Sequence, residues 1–190
     1  MENKVQFNLK NVHYAKITET NGTITYETPV HVPGAVNLSL EPQGEITPFH
    51  ADGIKYYQSI SNNGYEGDLE MARYPEQMLK DIWGVQETTE KVLIENSNTE
   101  PQSFALLFQI DGDKDNQLYC MYNCMGTRPG ITGTTNTETA EPQTQTSSIT
   151  ASPLENGNIL ARTSATTTAE VKKSWFTKVF QETPEQGGTV

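Results

Sequence analysis

Apolar side chains recur at every second position over much of the chain, which is the period of an extended strand with one buried face. The opening run places Val5, Phe7 and Leu9, then Val12 and Tyr14, so the alternation slips once near Lys10 and Asn11. A β-bulge accounts for one slip. Asn21-Gly22 precedes Thr23-Ile24-Thr25-Tyr26 and predicts a tight hairpin, because both turn residues accept positive φ. Strands are expected next from Pro29 to Val32 and through Val36, Leu38 and Leu40, divided by Pro33-Gly34. The most apolar run puts Phe104, Leu106, Phe108 and Ile110 on one face and Ala105 and Leu107 on the other, the pattern of a strand buried on both sides. The turn Asp111 to Asn116 returns the chain into residues 118–125, LYCMYNCM, as a second hairpin. Shorter strands are expected around Ile149, from Ile159 to Thr163, and from Val171 to Phe180.

Helical spacing is clear in one place, residues 75–83. Pro75 suits a first helical position, Glu76 sits where the helix dipole is positive, and Gly84 supplies a stop. Met78 with Ile82, and Leu79 with Trp83, are i, i+4 pairs that give this helix an apolar face to lay on a sheet. Residues 43–67 lack a clear period and are punctuated by Gly, Asn and Pro, so they read as a long projecting loop with possible order from Ile54 to Ile60. That stretch nevertheless holds Ile46, Phe49, Ile54, Tyr56, Tyr57, Ile60 and Tyr65, a density of large apolar groups that a solvated loop has no reason to expose. Residues 1–180 are expected to form one domain and residues 181–190 a frayed tail.

Composition sharpens the fold class and limits the functions. The 190 residues include 25 Thr and 16 aromatics, which favours sheet over helix. A net charge of −11 leaves no cationic field to grip nucleic acid. No window has the roughly 18 apolar residues of a membrane span, and the first residues carry no apolar signal segment, so the chain is expected to be made in a cytoplasm without membrane anchoring.

Candidate chemistry is sparse. Asp111, Asp113 and Asp115 begin like a calcium loop, but Asn116 and Tyr122 stand where the sharp-turn Gly and bidentate Glu belong, so the segment reads as a solvated turn. Cys120 and Cys124 lack spaced His partners for zinc and, on one strand, are expected to face one side as small core residues. Their Cα atoms would lie on the order of 13 Å apart, beyond the reach of a disulfide. No nucleophile motif, phosphate loop or metalloprotease motif is present, and no cofactor or enzymatic activity is expected.

One combination of segments is distinctive. An N-terminal strand pair precedes residues 33–57, PGAVNLSLEPQGEITPFHADGIKYY; then come residues 64–84, GYEGDLEMARYPEQMLKDIWG, a buried strand hairpin, and residues 127–130, TRPG, opening a Thr-rich segment. Nearly the whole chain resembles the major tail proteins of long-tailed phages of Gram-positive hosts, most specifically from Gly64 to Gly84. The resemblance implies a mainly β subunit of two packed sheets, sandwich or barrel, with one flanking helix. It also implies a virion structural protein whose hexameric rings stack into the tube through which the genome is ejected. Its partners would be further copies of itself and other tail proteins, with DNA only passing through the lumen. The projecting segment would pack on the neighbouring ring, which makes Ile46, Phe49, Ile54, Tyr56, Tyr57, Ile60 and Tyr65 candidates for the stacking contact. The competing expectation is a soluble β-sandwich module that binds a carbohydrate or receptor through an aromatic platform, for which Tyr56, Tyr57, Tyr119 and Tyr122 are the candidates.

Overall fold

Phe104–Gly112 (β10), the strand with apolar residues on both faces, lies in the interior of the main sheet of the computed structural model, which describes residues 3–20, 22–135 and 142–182. The other strands are β1 (Gln6–Thr20), β2 (Thr23–Tyr26), β3 (Val30–His31), β4 (Ala35–Gln43), β5 (Ile46–Ala51), β6 (Ile54–Ile60), β7 (Gly64–Met71), β8 (Gln86–Glu87), β9 (Leu93–Ile94), β11 (Gln117–Gly126), β12 (Gln145–Ala151) and β13 (Leu160–Arg162). Two helices are present among the described residues, α1 (Glu76–Trp83) and α2 (Ala169–Ser174). The chain is mainly β, 49% strand against 8% helix. Its large antiparallel sheet has the order β2-β1-β10-β11-β12-β7-β4, with β3 paired to β1 and β13 to β11. The sheet curves until β4 approaches β1, yet among the described residues no ladder joins them and no barrel closes.

Each face of β10 belongs to a different core. Phe104, Leu106 and Phe108 pack with Val12, Tyr14, Leu69, Met71 and Ile149 under α1. Ala105 and Leu107 pack with Ala15, Leu118, Cys120 and Tyr122 under Trp175 and Val179, which follow α2. The first helix is set by its sequence ends. Pro75 is extended at φ −63° and ψ 142°, Gly84 is left-handed at φ 62°, and the Val85 N–H donates back to the Leu79 carbonyl at 3.2 Å. Met78, Ile82 and Trp83 are buried, and Leu79 packs half-buried against them. Burial of such side chains contributes on the order of 2 kcal/mol each before the entropy of ordering them. Tyr14 ties the helix to β1 by donating to Asp81 Oδ2 at 2.6 Å.

Three expectations are corrected. Residues 43–67 are not a loop: most of them form a hydrogen-bonded ribbon of β5 and β6 that extends β4 and β7. The stretch expected as a strand from Val171 to Phe180 is α2 and the turns after it, because Trp175 and Val179 are spaced to reach the same core from a helical path. Finally, Cys120 and Cys124 face opposite sides. Phe104 is opposite Cys124 while Leu106 is opposite Met121, so β11 carries one extra residue and its side chains change face there. The slip at Asn11 is present, with φ 51°, and a second irregularity lies between Gln6 and Leu9.

Candidate assembly surface

The ribbon grows directly from the main sheet. Beyond the last β4–β7 pair, Gln43 with Gly64, the Asn63 N–H donates to the Gln43 carbonyl at 2.8 Å and the Ser61 N–H to the Glu45 carbonyl at 2.9 Å. Pairing then runs from Ile46 with Ile60 to Ala51 with Ile54. Asp52 (φ 52°) and Gly53 (φ 76°) close the tip, the two positive φ values that a two-residue hairpin turn requires. At about 3.3 Å per residue, this arm reaches about 25 Å past Gln43.

Its side chains lack support from the rest of the subunit. Ile46, Phe49, Ile54, Tyr56, Tyr57 and Ile60 are between 57% and 72% exposed. By register, Phe49 and Tyr57 share a face with Ala51 and Ile54, whereas Ile46, Pro48 and Ile60 share the opposite face, with a bulge leaving Tyr56 beside Tyr57. Both faces of the arm are therefore apolar. An isolated two-stranded hairpin is marginal in water, so such a surface has reason to be covered by something else.

Tyr65, the seventh candidate, is placed differently. It lies at the root of the arm, half-buried, and lines an open groove of about 550 Å³ whose walls are mostly apolar side chains, with Asn8, Asn37 and Arg162 among them. That groove occupies the unclosed seam: Phe7 and Leu9 of β1 form one wall, Val36 and Leu38 of β4 the other, and Tyr119 the floor. Arg162 stands at its margin and makes no ion pair among the described residues.

The four tyrosines of a possible aromatic platform are not gathered. Tyr56 and Tyr57 are on the arm, Tyr119 stacks on Phe108 with centroids 5.0 Å apart, and Tyr122 is buried in the other core beside Tyr26. The acidic turn is engaged in binding its own chain. Asp113 Oδ1 accepts from the Lys4 N–H at 2.8 Å, Asn3 Oδ1 accepts from the Asp115 N–H at 2.9 Å, and Asp115 pairs with Lys172. Among the described residues, no three His, Cys, Asp or Glu side chains are grouped to hold a metal ion. Burial pushes both thiols up, Cys124 to about 12, so neither is poised as a thiolate.

The sequence points to the arm's apolar residues and to order from Ile54 to Ile60, which is β6, but not to β5, the hairpin or the groove. Asp52-Gly53 between two apolar runs is the available hairpin signal; the groove has none, since its walls are 29 residues apart in sequence, Phe7 to Val36, and meet only through curvature of the sheet. Among the described residues, no helix is long and apolar enough to cross a membrane. No protein-family model and no curated protein sequence matches this chain.

Proposed function

We propose that this protein is a structural subunit of a tubular assembly, of the kind built by phage major tail proteins: a hexameric ring component whose rings stack into a conduit for the genome. The observation that carries the reading is the arm, whose two apolar faces project from a sheet that gives them no cover. The main sheet with its flanking helix is in keeping with it, as is the motif order from Gly64 to Gly84.

In this reading the partners are further copies and other tail proteins, and the subunit is non-enzymatic. The charge of −11 suits a wall past which a polyanion slides without adhering.

Electron microscopy of the purified chain over a range of concentrations tests the proposal. Rings or tubes are expected. A variant in which residues 45–61 are replaced by a short Gly-Ser turn should keep the sheet and fail to stack. Persistent monomers of the unmodified chain at high concentration, or a tube lumen lined mainly by Lys and Arg, would overturn it.

A further inference from the structure

We propose that the apolar groove in the open seam is the receptor for the arm of a second copy, so that successive subunits join arm to groove; this rests on the assembly reading above. The groove has walls of Phe7 and Leu9 on one side and Val36 and Leu38 on the other, with Tyr65 at the arm's root beside it. Phe7 and Val36 are 61% and 51% exposed although they belong to strands of the main sheet. The wall strands also present unpaired edges. Among the described residues no strand is bonded to the far side of β4, and the Gln6 to Asn11 stretch of β1 is paired only toward β10. An inserted strand thus meets apolar side chains and free backbone donors and acceptors together.

A second copy is the occupant for three reasons. The first is reach: the pairing of β4 with β7 continues through a one-residue bulge at residues 44–45 and 61–63 into β5 and β6, so the arm extends beyond Gln43 and away from Val36 and Leu38 of its own groove. The second is area. Phe49, Ile54 and Tyr57 on one face of the arm, each more than half exposed, offer on the order of 400 Å² of side chain to a groove. That is about half of the roughly 800 Å² per partner of a stable interface, and the arm's backbone against the groove's strand edges adds to it. The third is charge: Arg162 at the groove margin has no ion-pair partner among the described residues, and the arm brings Glu45 and Asp52 against the single Lys55.

Two different patches of one molecule then meet, which makes the contact heterologous; where the arms are not exchanged reciprocally between two copies, such contacts build a stack along an axis. The arm's opposite face stays available to a further neighbour.

Two full-length variants test the inference. One changes the arm, Phe49→Ser with Tyr57→Ser; the other changes the groove, Phe7→Asp with Val36→Asp. All four side chains are exposed, so the fold is retained, and circular dichroism with tryptophan fluorescence verifies it. In sedimentation velocity each variant alone should need at least about 30-fold more protein to stack than the unmodified chain. Mixed, they should form a paired species and no longer stack, because the intact arms of the groove variant enter the intact grooves of the arm variant, leaving no second functional junction. A groove variant that stacks normally would overturn the inference and leave the tube reading standing. A mixture that stays unpaired would mean that something else, such as a lateral neighbour's strand edge, fills the groove, and would overturn it too. An unmodified chain that never associates would sink both readings.

Discussion

The indole N–H of Trp83 donates to the carbonyl of Gly126 at 2.9 Å, so the last residue of α1 is fastened to the last residue of β11. Trp83 also meets Tyr74 edge-on, with ring centroids 5.5 Å apart. Replacing it with Phe keeps an aromatic ring but leaves the buried Gly126 carbonyl without this donor and a void beside it. The expected loss is about 2 to 3 kcal/mol. It is read as a lower urea midpoint with an unchanged slope.

Gly67 of β7 is paired with Leu40 of β4. A Cβ there would stand 1.8 Å from the Ser39 carbonyl oxygen, which no side-chain adjustment relieves because the clash is with backbone. Gly67→Ala should cost more than about 2 kcal/mol, above the ordinary range of surface substitutions. Gly53→Ala, at the arm's tip with open space around it, should cost less despite its positive φ. Thermal melts of both variants check the ranking.

His13 stacks on Phe176 at 4.6 Å and lies 4.9 Å from His31, with its Nδ1 2.7 Å from the Asn11 carbonyl. Burial, more than the nearby His31, holds its pKa below the usual value near 6.5. The unfolded chain therefore takes up the proton first as pH falls. Stability associated with neutral His13 is complete above about pH 6.5 and declines below it, until the folded-state pKa is passed. His13→Phe should lose less stability than the unmodified chain when urea midpoints are compared between pH 7.5 and 5. Parallel pH dependences would refute the assignment.

Cys120 and Cys124 are fully buried on opposite faces of β11. A thiol reagent at pH 8 should label neither in the native protein and both after unfolding in urea, and no intramolecular disulfide should form under oxidation. Rapid labelling of one thiol in the folded state would contradict the packing.

Amide hydrogen exchange should separate the arm from the sheet. In the free subunit, amides of β5 and β6 should exchange orders of magnitude faster than those of β10 and β11, since two strands alone hold little free energy against opening. Upon assembly the arm's amides should become protected. Equal protection before and after would count against any role of the arm in contact between copies.

What the sequence made legible follows the strength of its local patterns. The two-faced alternation from Phe104 to Ile110 located the strand shared by both cores, and Pro75 with Gly84 bounded α1 to within a residue. The arm was hidden because apolar residues on both of its faces abolish the alternation that marks a half-buried strand, and Pro48 adds a conflicting signal. α2 was misread because six residues are too few to establish a helical period. The direction of the second thiol depended on an extra residue in β11 that only pairing with β10 reveals.

The paired strands that carry β4 and β7 on into the arm also have a mechanical meaning. Backbone hydrogen bonds in an antiparallel pair lie across the strands. A tension applied along the arm therefore runs down the covalent backbones of both strands and enters the main sheet by loading the ladder bonds that hold β4 and β7 to it side by side in shear, whereas a sideways load at the Asp52-Gly53 tip meets only the bending resistance of two strands. A column of subunits coupled through such arms would be stiff and strong under axial stretching yet compliant in bending, since a two-stranded ribbon resists elongation far better than flexure.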